Sequence, residues 1–140
     1  MKAMVLKAPG KMEAQDIPTP IPADGEALVR VTSGGICGTD LKILNGSIPA
    51  RTPLVIGHEI TGEIVEGKTA DGKGPGTRVV LDPTCACGTC FHCKNGQTNL
   101  CPNSLLLGRE RNGGFAEYTT VPEINAHSVP DDVDDDEAAF

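Results

Sequence analysis

The chain has 140 residues, 39% of them hydrophobic and 3% aromatic, with no Trp, 17 Gly and 11 Pro. This length suits one domain with an aliphatic core, and so much glycine and proline favours short strands and turns over long helices. The net charge of −7 argues against a basic nucleic-acid surface, and no apolar run is long enough for a signal peptide or a membrane span.

Lys2 to Leu6 reads as a strand ended by Ala8-Pro9-Gly10. Pro18, Pro20 and Pro22 make residues 13–24 extended and exclude a helix there. After the Asp24-Gly25 turn, Glu26 to Thr32 alternates as a strand, with Ala27, Val29 and Val31 on one face, and Gly34-Gly35 is expected to break it. Leu41 to Leu44 reads as a short helix with Thr39 or Asp40 near its cap and Gly46 at its end. Ile60–Val65 and Arg78–Leu81 are further strands, separated by the glycine turns at 72–76. Beyond a cysteine-rich stretch come the strand Phe115–Val121 and an extended piece over 125–129. At the end, Asp134 is a candidate N-cap with Glu137 three residues on, the opening of a helix over 134–140. Most of the negative charge sits in Asp131, Asp132, Asp134, Asp135, Asp136 and Glu137, a tail read as a solvated segment. The pattern predicts a mainly β (α+β) domain, barrel-like, with a few short helices.

Cys87, Cys90, Cys93 and Cys101 form C-x2-C-x2-C-x7-C. Four thiolates from one loop can close a tetrahedron on zinc, and such a site with no open position holds structure. The lobe, about residues 85–102, is small and polar between its cysteines, so metal binding and loop folding become one event. Disulfides would need an oxidising compartment, whereas a cytoplasmic, reducing setting is expected. An iron–sulfur cluster is the other reading, but the bacterial ferredoxin run has three residues before its last cysteine, not seven. Cys85 reads as a bystander thiol, His92 as solvent-exposed and His127 as structural.

Cys37 and His58, twenty-one residues apart, prove little by themselves. Their neighbours add meaning, because glycines flank both and Asp40 and Glu59 offer carboxylates that could orient metal ligands. Taken with Gly34-Gly-Ile-Cys37-Gly-Thr-Asp40, Gly57-His-Glu-Ile-Thr-Gly62, the four-cysteine lobe, Gly113-Gly-Phe-Ala-Glu-Tyr118 and Asp135-Asp-Glu-Ala-Ala139, the chain resembles the zinc-containing medium-chain dehydrogenase/reductase family, which includes alcohol, polyol and threonine dehydrogenases. The resemblance covers nearly the whole chain.

The resemblance implies a GroES-like, partly open β-barrel that serves as the catalytic domain of such enzymes. Cys37 and His58 would then be catalytic-zinc ligands, with Glu59 able to approach the same metal. Thr39 would contact the substrate oxygen and pass on its proton, and Asp40 would support the histidine. The implied cofactors are Zn2+ and, in the complete enzyme, NAD or NADP. The implied partner is a small-molecule alcohol or carbonyl substrate; homo-oligomers are common among such enzymes.

Lys42 stands where many members carry a proton-relay histidine. Thr77 replaces a common Asp, and Gly62 to Gly67 is one residue short of the usual spacing. The family's remaining catalytic ligand would fall past Phe140, and no Gly-x-Gly-x-x-Gly occurs. The expectation is a catalytic domain without its nucleotide-binding domain, inactive alone. The alternative is a stand-alone zinc-binding assembly module that uses the same barrel without redox chemistry.

Overall fold

A computed structural model describes residues 1–139; the last residue of the expected C-terminal helix, Phe140, lies outside them. Strand β1 (Lys2–Ala8) turns through Pro9 and Gly10 into β2 (Lys11–Asp16). Gly10 has φ +75°, a conformation in which glycine has no Cβ penalty. The strand β2 agrees with the extended, non-helical backbone expected from residue 13 and adds a pairing that the sequence did not specify. The prolines begin only at Pro18, so the amides of Lys11–Asp16 remain free to pair with β1.

Next come β3 (Glu26–Gly35), α1 (Gly38–Leu44), β4 (Leu54–Val55), β5 (Glu59–Glu66) and β6 (Arg78–Leu81). The cysteine lobe contributes β7 (Thr84–Cys85), α2 (Phe91–Lys94), a 3-10 turn at Thr98–Leu100 and β8 (Leu105–Leu106). Then follow β9 (Tyr118–Pro122), a 3-10 turn at Glu123–Asn125, β10 (Ala126–Ser128) and α3 (Asp135–Ala138). The main sheet is antiparallel in the order β10-β6-β5-β3-β9, and a smaller sheet runs β2-β1-β4. An antiparallel bridge from Ala3 to Ala116 links β1 to the segment leading into β9. The result is the expected mainly β, partly open barrel with a few short helices.

The core is aliphatic, as the composition requires. Ala27, Val29, Ile60, Ile64, Val79, Leu81, Leu107, Val121 and Ala126 fill the main sheet's inner face. A second cluster of Leu6, Ile43, Leu54 and Ile56 seats α1 against the small sheet. Cys85 packs into the first cluster, and burial pushes its thiol pKa up, as suits an inert core side chain.

Several local expectations are corrected. Strand β3 does not stop at Gly34-Gly35 but pairs with β5 as far as Gly35↔Glu59, after a register shift between Val31 and Ser33. Sheet pairing outweighs glycine's weak strand preference, and the irregularity moves upstream. The last long strand starts at Tyr118, not Phe115. Before it, Phe115 N–H donates to Ile56 C=O at 3.0 Å and Phe115 C=O accepts from Met4 N–H at 2.8 Å. Helix α2 went unforeseen because its four residues carry no apolar period.

The acidic tail is not simply solvated. Arg78 donates from Nε and from its Nη2 to Asp135 Oδ1 at 2.9 and 2.7 Å, and from Nη2 to Val133 C=O at 2.6 Å. Thr61 Oγ1 donates to Asp135 C=O at 2.8 Å, and Ser33 Oγ donates to Asp136 Oδ1 at 2.6 Å. Asp134 is the N-cap of α3, as expected, accepting from Glu137 N–H at 2.7 Å.

Thr32 and Arg78 lower the pKa of Asp135. A carboxyl whose folded pKa is depressed stabilises the fold above its unfolded value, about 3.9, and loses that contribution as pH falls through the lower folded value. Asp135→Asn is therefore expected to lose part of the stability present at pH 7 and to flatten the acid limb, both read by urea unfolding across pH 2–7. Gly62 generates a second prediction, because a Cβ there would run into the Arg30 carbonyl and within 2.6 Å of Val29 Cγ1. Gly62→Ala should cost about 2–4 kcal/mol by urea unfolding. Gly74→Ala, with open space around it, should change stability by no more than about 0.5 kcal/mol.

Candidate metal centres

Cys37 ends the approach from β3 and is the N-cap of α1, with extended backbone at φ −80° and ψ 152°. This corrects the expected cap at Thr39 or Asp40. Asp40 is instead the N3 residue, and its Oδ2 accepts from Cys37 N–H at 2.9 Å. A side chain three residues into a helix can reach back in this way to an N–H that the helix leaves unpaired. Thr39 lies between them in the first turn, half-buried.

The other half of the centre comes from the β4–β5 junction. Gly57 has φ +97°, and a Cβ there would collide with the Phe115 ring. Its carbonyl accepts from Gly114 N–H at 3.0 Å, while Gly113 N–H donates to Val55 C=O at 2.7 Å. The Gly113-Gly114-Phe115 segment therefore clamps the backbone just before His58 and Glu59.

Asp40 joins the two halves. It is 1% exposed, and its Oδ1 accepts from Gly57 N–H at 3.2 Å. The same oxygen lies 3.2 Å from His58 Nδ1, though too poorly aligned for a hydrogen bond, so that nitrogen is left without a partner. One ligand atom each from Cys37, His58 and Glu59 falls within 4.8 Å of the others. Glu59 Oε2 is also buried with no hydrogen-bond partner. A carboxylate oxygen withdrawn from water is costly unless a cation or donor faces it. This donor set fits a divalent ion.

The second cluster lies in the lobe. Ligand atoms of Cys87, Cys90, Cys93 and Cys101 also fall within 4.8 Å of one another. Cys90 Sγ is 3.5 Å from Cys93 Sγ and 3.9 Å from Cys101 Sγ, and Cys87 Sγ is 4.0 Å from Cys93 Sγ. A tetrahedron with Zn–S bonds of about 2.3 Å has edges of about 3.8 Å, so the sulfurs match a zinc cage. Cys90 caps α2, accepting at Sγ from Cys93 N–H at 3.5 Å, and Cys101 Sγ accepts from Cys87 N–H at 3.4 Å.

Backbone N–H groups of Thr89 and Cys90 pull the Cys87 thiol down to about 5. Desolvation, aided by Cys90, pushes Cys93 up to about 12. Without a cation, the crowded sulfurs resist becoming thiolates together. Of the lobe's helical residues none is buried, so apolar packing offers α2 and its neighbouring turn little support.

The remaining sequence candidates lie elsewhere. Cys85 is outside the four-sulfur cluster. His92 is half-buried rather than exposed, with Nδ1 3.3 Å from Gln97 Oε1. His127 is exposed and borders a cavity of about 260 Å³ beside the lobe. Lys42 is exposed on α1. Sequence reasoning missed the clamp of Gly113–Phe115 on Gly57 and the Arg78–Asp135 link, since partners so far apart in sequence leave no local pattern.

A family profile described as "Alcohol dehydrogenase GroES-like domain" matches residues 23–131. Among curated relatives, L-threonine 3-dehydrogenase of Shewanella sp. (strain W3-18-1) is 37% identical over 148 residues, covering 96% of this chain and 43% of the relative. Among solved structures, the NADH complex of the alcohol dehydrogenase RspB from E. coli CFT073 superposes with a TM-score of 0.90 at 37% identity, over 99% of this chain and 41% of that one. A cobalt- and zinc-bound thermostable alcohol dehydrogenase from Pyrobaculum aerophilum gives 0.89 at 33% identity, over 99% and 44%. The chain thus spans less than half the length of these relatives. By its profile match, its fold and its relatives, the chain belongs to the alcohol dehydrogenase GroES-like domain family.

Proposed function

We propose that this chain is the zinc- and substrate-binding domain of an alcohol or polyol dehydrogenase that transfers a hydride between an alcohol and NAD or NADP. The single observation that carries the reading is the half-buried cluster of Cys37, His58 and Glu59, in which Glu59 Oε2 is buried without a hydrogen-bond partner. The NADH-bound RspB structure and the cobalt- and zinc-bound Pyrobaculum enzyme support it. In this reading the nicotinamide is held by a separate domain, and the lobe cysteines hold a structural zinc.

Cys37, His58 and Glu59 would hold the catalytic ion. When bound, zinc there supplies Lewis-acid stabilisation of negative charge on a substrate oxygen. The protein's own residues do the rest. Asp40, fixed by two backbone N–H groups, orients the His58 ring by facing Nδ1 and leaves the other ring nitrogen for the metal. The Thr39 hydroxyl, in the first turn beyond Cys37, receives the alcohol proton and passes it towards solvent; in reduction it returns it. Small-molecule alcohols and carbonyl compounds are the substrate class. No helix in the described residues is long and apolar enough to cross a membrane.

Metal analysis after washing with a moderate chelator tests the division of labour. The chain should retain close to one zinc, and Cys90→Ser should release it and unfold residues 86–102, read by hydrogen exchange. Unchanged zinc content in that variant would remove the lobe as the tight site. Thr39 is tested in the polypeptide that joins this domain to a nicotinamide-binding domain. Thr39→Val should lower kcat about 10²-fold or more, whereas Thr39→Ser keeps most of it. Equal turnover in all three would exclude Thr39 as the proton carrier.

A further inference from the structure

Strands β3 and β5 deliver the Cys37, His58 and Glu59 donors, and at the same end they are bound to the start of α3. Ser33 and Thr61 face each other across the two strands. Each donates its hydroxyl to α3, at Asp136 Oδ1 (2.6 Å) and the Asp135 carbonyl (2.8 Å). Glu59 pairs with Gly35, two residues along the same ladder. Residues two apart in a strand share a face, so Glu59 and Thr61 project on the side that α3 covers. From the neighbouring strand β6, Arg78 ties Asp135 Oδ1 and the Val133 carbonyl into the same junction.

Thr61 is fully buried and its hydroxyl is bonded to α3, so release of α3 would open this stretch of β5 to water. The lost hydrogen bond and packing fall on the strand segment carrying Glu59. Asp135 is held ionised by Thr32 and Arg78, which keeps the junction charged and directional.

From this geometry we infer that Ser33, Thr61 and Arg78, gripping the 133–136 turn, form a positioning latch for the Cys37/His58/Glu59 metal site. Docking of α3 sets the orientation of Glu59 and raises the site's affinity for a divalent ion. By linkage, metal at that site tightens the docking of α3 by the same factor. The three are positioning residues, acting through Glu59 without touching the ion. The inference rests on the proposed metal-binding reading of the cluster.

Cobalt(II) titration of the chain, with its cysteine lobe already filled by zinc, tests this. Absorption from the single Cys37 thiolate reports the second site, and hydrogen exchange over 133–139 reports α3. Thr61→Val and Arg78→Met are each expected to weaken cobalt binding at the second site about five- to tenfold, leaving zinc in the lobe untouched. Thr61→Ser, which keeps the hydroxyl but loses a buried methyl, should lower stability yet retain affinity. Cobalt should also slow exchange over 133–139 in the unsubstituted chain. Unchanged affinity in the Val and Met variants, once exchange shows α3 released, overturns the latch alone. Equal weakening by Thr61→Ser and Thr61→Val overturns it too, because stability would then be the cause. No second cobalt in the unsubstituted chain would overturn both the latch and the reading of the cluster as a metal site.

Discussion

The structure around the candidate catalytic centre depends on one buried carboxylate. Asp40 is almost wholly removed from water, a position that costs several kcal/mol for an ion unless hydrogen bonds replace hydration. It takes N–H groups from two separate segments, Cys37 at the head of α1 and Gly57 at the entry to β5. The same side chain faces the ring of His58. A helix cap, a loop anchor and a histidine support are therefore one interaction. Asp40, Cys37 and His58 are not members of the barrel's main apolar cluster of Val29, Ile60, Ile64 and Val121.

The two proposed metal clusters stand on different physical footings. The Cys37/His58/Glu59 donors are carried by elements that the sheet and α1 already hold, so a partly built site exists before any ion arrives. Of the lobe cysteines, Cys93 lies in a four-residue helix that Cys90 caps, and Cys101 follows a 3-10 turn; neither element has a buried residue. Nothing comparable to the barrel core holds that loop, and thiols this close resist ionising together. In the proposed reading the lobe relies on its ion for order, whereas the other cluster would offer an ion a pre-shaped cradle. The sulfur spacings and the orphaned Glu59 oxygen express the same difference in geometric form.

The acidic end of the chain changes meaning in three dimensions. As sequence, Asp131 to Glu137 is a run of negative charge that water could solvate. In the fold, Arg78 reaches across from β6 to grip Asp135 and Val133, while Ser33 and Thr61 hold Asp136 and the Asp135 backbone. The charge run caps α3 and fastens it over the strands that lead to the metal donors.

Much of this was legible in the residues alone. Cysteine spacing within one loop defines the lobe because its ligands are local in sequence. The strand Glu26–Thr32 shows in its apolar alternation, Ile60–Val65 and Arg78–Leu81 as short runs between glycine turns, and Asp134 announces the start of α3 because a cap is a short-range device. The ordered motifs around Cys37 and His58 led to the family that the profile match then supported. Other features were decided only by tertiary structure. Strand β3 runs through Gly34-Gly35 because β5 pairs with it, and β2 exists because β1 lies beside it. Asp40, which locally closes the cap of α1 on Cys37, became the bridge between α1 and His58 when folding brought Gly57 to its carboxylate. Local pattern specifies elements and ligand types, but which carboxylate meets which amide depends on contacts between residues far apart in the chain.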